Sequence, residues 1–285
     1  MGGIAIVTMA YNERANLPIW LRHYTAHCPE AVLFVIDHGS DDGSTGNVKG
    51  ANIIPLPRTP FDDGDRAEFV SDLQRALLKY YDVVIYTDCD EMLVADPRRH
   101  ASLAAFLETA PEDVIAPVGL NVQHIPNVDP ILDLTGPILG QRRHVEFGVA
   151  FCKPVVVRRP VSWAPGFHWC DQVPVYRQDL FLFHLHKMEI DLAVARLNKM
   201  LGMTWSARAA SMGWGASQRE ATPEQRRERL MKKARDLMAV GPEPFQFSSD
   251  INRLIRSLHP QDGYWYGEHR AGRFSVVPEE FRHLV

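Results

Sequence analysis

Three carboxylates fall within four residues at Asp88, Asp90 and Glu91. They follow a short apolar, β-branched and aromatic run, Val83 to Tyr86, that reads as a buried strand. Side chains alternate along a strand, so an extended chain would turn Asp88 and Asp90 to the same side. Two carboxylates side by side repel unless a cation or protons lie between them. Mg²⁺ and Mn²⁺ prefer oxygen ligands, typically one or two carboxylates plus substrate phosphates. The C-terminal end of a strand in an open α/β sheet is where such a ligand binds. A polar strand end whose aspartates cap the next turn would carry the same residues, so the rest of the chain must discriminate.

The elements that would position this stretch alternate. Ile4 to Met9 is a first buried strand, followed by Tyr11, Asn12 and Glu13 where it ends. Leu17, Trp20, Leu21 and Tyr24 recur at helical spacing, which predicts a helix over 14–26. Ala31 to Ile36 reads as a second strand, ending in Asp37-His-Gly-Ser-Asp-Asp-Gly-Ser44, a turn rich in capping residues. Ile53 and Ile54 suggest a third strand, and Arg66 to Tyr81 a helix with Phe69, Leu73, Leu77 and Tyr80 on one face. Strand–helix alternation argues for a mostly parallel sheet. Beyond it come a helix from Ser102 to about Thr109, a strand at 114–118 and a long loop over 121–148. Strands are expected at Lys153–Arg159 and Leu180–Leu185. The later one places His184 and His186 on one face, opposite Phe181, Phe183 and Leu185. Glu189–Leu201 reads as a helix, and Thr222-Pro-Glu-Gln225 opens another with a capping box that runs to Val240. The basic residues of that last helix, Arg226 to Arg235, fit a solvated face or, less often, a partner surface. Residues 241–285 read as irregular, wrapping the core or forming a partner surface.

Composition narrows the classes. The 285 residues are 46% hydrophobic and 23% charged, enough to bury a sizeable core. A formal charge of −4 gives no support to general nucleic-acid binding. Cys28, Cys89, Cys152 and Cys170 are scattered, without a Cys-x-x-Cys pair, which fits a reducing cytoplasm. No run approaches the ~20 apolar residues of a membrane-spanning helix. The N-terminus carries no charged region ahead of an apolar stretch, so no signal peptide is expected. Peripheral membrane contact stays open.

In order and spacing these features resemble a GT-A glycosyltransferase of the family 2-like group. Thr8-Met-Ala-Tyr-Asn-Glu13 is similar to that group's first strand and nucleotide-binding turn. Ile36-Asp-His-Gly-Ser-Asp-Asp-Gly-Ser44 is similar to its second-strand turn, and Asp88-Cys-Asp-Glu91 resembles its metal-binding Asp-x-Asp in an Asp-x-Asp-Glu form. The likeness is strong over about 4–95 and weaker over 150–187, where Lys153-Pro154, Gly166-Phe-His168 and His184-Leu-His186 fit later landmarks. The resemblance implies a GT-A (Rossmann-like) domain over 1–205, with donor binding over about 1–95 and the acceptor side over about 96–205. Residues 206–285 would be a helical and irregular extension.

The donor it implies is a nucleoside-diphosphate sugar, with UDP the common carrier, and the acceptor is a carbohydrate or other hydroxyl. Thr8, Tyr11, Glu13, Asp37, Arg66 and Asp88 would line the donor site. An Asp accepts hydrogen bonds from uracil or ribose, and the Arg fork suits a diphosphate. Arg66 could instead pair with Asp62 or Asp63, and Asp37 could cap its turn. Mn²⁺ or Mg²⁺ would stabilise the leaving diphosphate. Asp90 is the first choice for coordination, with Asp88 beside it. His186 or His184 would complete the set, His186 first because it lies nearer the strand's end. The inverting branch needs a general base. The usual acidic landmark and the Gln-x-x-Arg-Trp of processive members are absent, leaving Asp171, then Glu146 and His168. This favours a single, non-processive transfer. A metal-dependent hydrolase using the Asp and His residues, or a non-catalytic nucleotide-binding relative, would share these features. A nucleotidylyltransferase would need a Gly-rich basic loop after the first strand, and Met9-Ala-Tyr-Asn-Glu13 is not one.

Overall fold

The computed structural model describes residues 2–215, 221–268 and 273–285. Its first half is a β/α alternation: β1 (Gly3–Ala10), α1 (Asn16–His27), β2 (Val32–Asp37), β3 (Ala51–Pro55), α2 (Asp63–Leu77) and β4 (Tyr81–Tyr86). These four strands pair in parallel in the order β3-β2-β1-β4. β1 is buried from Ile4 onward because helices cover both faces, and the period of two splits its side chains between two cores. Ile4 and Ile6 pack with Leu17, Trp20 and Tyr24 of α1, while Ala5 and Val7 pack with Ala67 and Val70 of α2. Asp62 caps α2 through the backbone N–H groups of Gly64 and Asp65.

The second half extends the sheet with β5 (Glu91–Ala95), α3 (Leu103–Thr109), β6 (Val114–Gln123), α4 (Ile138–Gln141), β7 (His144–Phe147), β8 (Val156–Val157) and β9 (Val175–Lys187). β8 joins β4 to β6 by antiparallel pairing, β9 runs parallel to β6, and β5 lies antiparallel to β9. The expected α/β sheet flanked by helices is therefore present, with four parallel strands gathered at the N-terminal side and the parallel pair β6 and β9 beyond them. Then follow α5 (Ile190–Leu201), α6 (Ala207–Ser211), α7 (Pro223–Val240), α8 (Ser248–Ser257), the hairpin β10 (His259–Gln261) and β11 (Tyr264–Tyr266), and β12 (Phe274–Val276). The capping box that opens α7 is formed, with Thr222 and Gln225 exchanging side-chain-to-backbone bonds.

Several expectations change. The chain does not stay extended through the acidic cluster: Asp88 to Glu91 make a turn, closed by Glu91 N–H donating to Asp88 O at 3.0 Å. The apolar residues after it form β5, fully buried and paired antiparallel with β9 in the same sheet. Within the stretch read as a loop, β6 runs on to Gln123 and β7 pairs with it. The strand expected at Lys153–Arg159 shrinks to Val156–Val157 behind Pro154, which offers no N–H. Residues past 241 carry regular elements as well, since β12 pairs with β7, and they wrap the core as one of the readings had it, with Phe281 and Val285 entering it. On α7, Arg227, Lys232 and Lys233 are ion-paired with Asp191, Asp236 and Glu146.

Candidate active site

The Asp88–Glu91 turn is held from behind by α1. Thr87 accepts a hydrogen bond from Trp20 Nε1 at 2.9 Å. The Tyr24 hydroxyl donates to Glu91 O and accepts from Leu93 N–H. From the side, the turn is held by a lysine that is 1% exposed: Lys153 Nζ lies 2.7 Å from Glu91 and 3.2 Å from Asp88. Arg66 stands 3.5 Å from Asp88 and 2.7 Å from Asp63, so the ion pair open to it from sequence is formed with Asp63. Burial pushes the Asp88 carboxyl up, but Lys153 and Arg66 outweigh it and hold it below its ordinary value. Burial raises Glu91, which shares Lys153 with Asp88. Burial works against the Lys153 charge, yet the two carboxylates keep it protonated.

Asp90 faces the other way, toward β9. His184 is in register with Glu91 on one side and with Asn121 on the other, and Leu185 N–H donates to Asp90 O. This pairing brings Asp90 Oδ2 to 3.4 Å from His184 Nε2 and 3.9 Å from His186 Nδ1. The three side chains offer donor atoms within 4.8 Å of one another. A carboxylate with two imidazoles suits Mn²⁺ and related divalent ions. The tautomers separate the histidines. His184 Nδ1 donates to Asn121 Oδ1 at 2.8 Å, leaving the Nε2 lone pair toward Asp90. His186 Nε2 instead accepts from Arg226 at 2.9 Å, so its proton sits on Nδ1. Of the two rings, His184 stands the nearer to Asp90.

Arg196 of α5 also reaches Asp90 Oδ2, at 2.7 Å. Burial opposes the Asp90 charge, but Arg196 and then His184 and His186 hold the carboxyl well below its usual range. His186 is pushed well down by burial and by Arg196, so it is neutral at physiological pH.

Two recesses meet at this turn. One, of about 110 Å³, is lined by Tyr11, Glu13, His38, Arg58, Arg66 and Arg196 among others. It adjoins a further space of about 270 Å³ that shares Met9, His38 and Arg66. Arg58 stacks 3.6 Å over the Tyr11 ring, and Lys199 ties Glu13 at 2.6 Å while donating to Tyr11 O. The second, of about 470 Å³, continues past Asp88 and Asp90 to His168, His184, His186, Lys187 and Arg226, with Phe151, Trp205 and Trp214 in its walls.

Among the residues expected from sequence, Tyr11, Glu13, Arg66, Asp88, Asp90, His168, His184 and His186 line these recesses. Others lie apart. Thr8 is buried against Cys89. Asp37 accepts from Ser40 N–H and Thr45 Oγ1, as a turn cap. Asp171 accepts from Ser162 N–H at 2.9 Å, and Glu146 is taken by Lys233 at 2.6 Å and by Gln123. Neither of these two carboxylates lines the larger cavity. His168 does, and its Nδ1 donates to Ala150 O at 2.7 Å, leaving Nε2 as the acceptor. Burial and then Lys153 push it below its ordinary value, so it is a neutral imidazole.

The side chains that sequence reasoning missed are Lys153 as a structural counter-ion, Arg196, Lys199 and Arg226. Lys153-Pro154 was legible as a landmark without a role. The helix residues carried no signal, because a cation on an amphipathic helix is ordinary.

No protein-family model and no curated protein matches this chain. Solved structures do resemble it. S. aureus TarS is 12% identical over 72% of this chain and 41% of its own, at a TM-score of 0.39. Glucosyl-3-phosphoglycerate synthase from Mycobacterium tuberculosis, in complex with Mn²⁺ and UDP-glucose, is 21% identical over 41% of this chain and 44% of its own, at 0.31. The galactosyltransferase LgtC, in complex with donor and acceptor sugar analogs, is 22% identical over 40% of this chain and 46% of its own, at 0.27. The chain spans less than half the length of each. These likenesses are distant, and the chemistry has to come from this chain's own side chains.

Proposed function

We propose that this chain is a GT-A glycosyltransferase that moves one sugar from a nucleoside-diphosphate donor, UDP-linked in the first instance, to a hydroxyl acceptor. The observation that carries this reading is the meeting of Asp90 with His184 at the joint between two recesses. In this reading the smaller recess takes the nucleoside, with Tyr11, Glu13 and Arg58 around it and Arg66 and Arg196 toward the diphosphate. Asp90 and His184, with His186 beside them, would hold a divalent ion, Mn²⁺ by the donor set. When bound, that ion supplies charge stabilisation to the departing diphosphate. Asp88, held by Lys153 and Arg66, orients the turn and faces the donor.

The larger cavity takes the acceptor. Its hydroxyl oxygen forms the new bond to the anomeric carbon as the bond to the diphosphate oxygen breaks, and the electron pair leaves with the diphosphate. The hydroxyl proton passes to His168 Nε2, which is the base of this reading in place of Asp171 and Glu146. Residues 1–95, with Arg196 and Lys199 of α5, then serve the donor and the rest of 96–205 the acceptor, while 206–285 close the cavity through Trp214 and Arg226. Four free, buried cysteines suit a reducing cytoplasm, and among the described residues no helix is long and apolar enough to cross a membrane.

Calorimetric titration of UDP, GDP and ADP, with Mn²⁺ and again with EDTA, tests the proposal. Binding of one nucleotide that is lost in EDTA supports it and names the base. Equal binding in EDTA would pass the diphosphate to Arg66 and Arg196 alone, and no binding by a folded sample would end the transferase reading.

A further inference from the structure

We propose that the acceptor is an anion, carrying a phosphate or carboxylate group that Lys187 and Arg226 hold at the far end of the larger cavity. This rests on the transferase reading and adds the acceptor's chemical class to it.

Four cations line that cavity, Arg66, Lys187, Arg196 and Arg226. Two are satisfied by carboxylates: Arg66 by Asp63 at 2.7 Å and Arg196 by Asp90 at 2.7 Å. Both of these also line the nucleoside side. Lys187 and Arg226 differ on each count. Neither lines the smaller recess, and neither has a carboxylate partner among the described residues. Arg226 donates to His186 Nε2 and to nothing else described, although a guanidinium carries five N–H donors. The Lys187 ammonium makes no hydrogen bond to a described residue. The carboxylate that acts on it most, Glu146, is occupied by Lys233 at 2.6 Å and by Gln123.

Holding two cations together in a half-buried space costs free energy through desolvation and mutual repulsion. Arg227, Lys232 and Lys233 of the helix and Arg177 of the strand found carboxylates, whereas these two line the same void. An anion there recovers that cost, and a guanidinium beside an ammonium suits the oxygens of phosphate or carboxylate. The placement is consistent with the reaction. The pair lines the larger cavity and not the nucleoside recess, and His168 lines the same cavity. Trp205 and Trp214 offer aromatic faces to the carbon skeleton between the anionic group and the reacting hydroxyl.

The test is calorimetric. With Mn²⁺ and a saturating concentration of the nucleoside diphosphate that binds, inorganic phosphate and, separately, acetate are titrated into the wild-type chain, Lys187→Gln and Lys187→Arg. The expected result is binding of at least one anion to the wild type, weakened at least about tenfold in Lys187→Gln and restored by Lys187→Arg. Nucleotide affinity should be unchanged across all three, which also shows that the variants fold. The anion that binds identifies the acceptor group as phosphate or carboxylate. An absence of heat from both anions, an unaffected Lys187→Gln, or an anion that displaces the nucleotide would each overturn the assignment. If no nucleoside diphosphate binds the wild type, the transferase reading fails and the acceptor assignment with it. Nucleotide binding without anion binding removes the acceptor assignment alone.

Discussion

Arg196 Nη1 lies 2.7 Å from Asp90 Oδ2, the same oxygen that faces His184 Nε2 at 3.4 Å. The helix cation thus neutralises the carboxylate where a divalent ion would compete for it. Arg196→Gln should leave Asp90 buried without its strongest partner, and lower stability by about 2 kcal/mol, discounted because the arginine is one-third exposed. Mn²⁺ should then raise the melting temperature of the variant by more than it raises that of the wild type. Thermal unfolding with and without Mn²⁺ reads this directly, and equal shifts would mean that metal and arginine do not compete for Asp90.

Lys153 is 1% exposed and shared by Glu91 and Asp88. Lys153→Met removes the cation and leaves two carboxylates facing each other in the interior, which should cost about 3–5 kcal/mol. Adding Glu91→Gln to the same chain should recover part of that loss, because it removes one of the stranded charges. Urea unfolding of the single and double variants checks this. A double variant no more stable than Lys153→Met would show that the lysine acts mainly through packing.

His168 and Asp171 separate catalysis from turn structure. His168→Gln should lower kcat by about 10²–10⁴-fold while leaving nucleotide affinity in place. Asp171→Asn should keep kcat, since its carboxylate is engaged with the Ser162 N–H. Steady-state kinetics on both variants decides between them, and the opposite pattern would return the base to Asp171.

Asp179 gives a pH prediction remote from the active site. Burial pushes its carboxyl up, but hydrogen bonds from Arg177 and His100 outweigh this and hold it at about 2. The folded value lies below the unfolded one of about 3.9, so the group stabilises the fold above about pH 4. That contribution is lost as the pH falls toward 2. It should be worth about 2 kcal/mol at pH 7 and about half of that at pH 3. The difference in urea stability between wild type and Asp179→Asn should therefore narrow at pH 3, and a constant gap would assign the loss to packing.

By itself the sequence determined the strand–helix alternation of the first half, the acidic cluster at the end of β4, and the shared face of His184 and His186. Each of these depends on local periodicity, which a chain carries without its partners. The resemblance to a glycosyltransferase was legible for the same reason, since its motifs are short and sit at strand ends. Only the tertiary structure decided what surrounds them. Asp88 and Asp90 diverge because their segment turns, and the turn faces Lys153 on one side and β9 on the other. β5, β7 and β12 exist because buried neighbours complete their hydrogen bonds, a condition that no window of residues reveals. The tautomers of His184 and His186 came from which ring nitrogen Asn121 and Arg226 occupy, and Arg226 reaches His186 from another helix altogether. Long-range pairing of charges assigned these roles, and such pairing is a property of the folded chain.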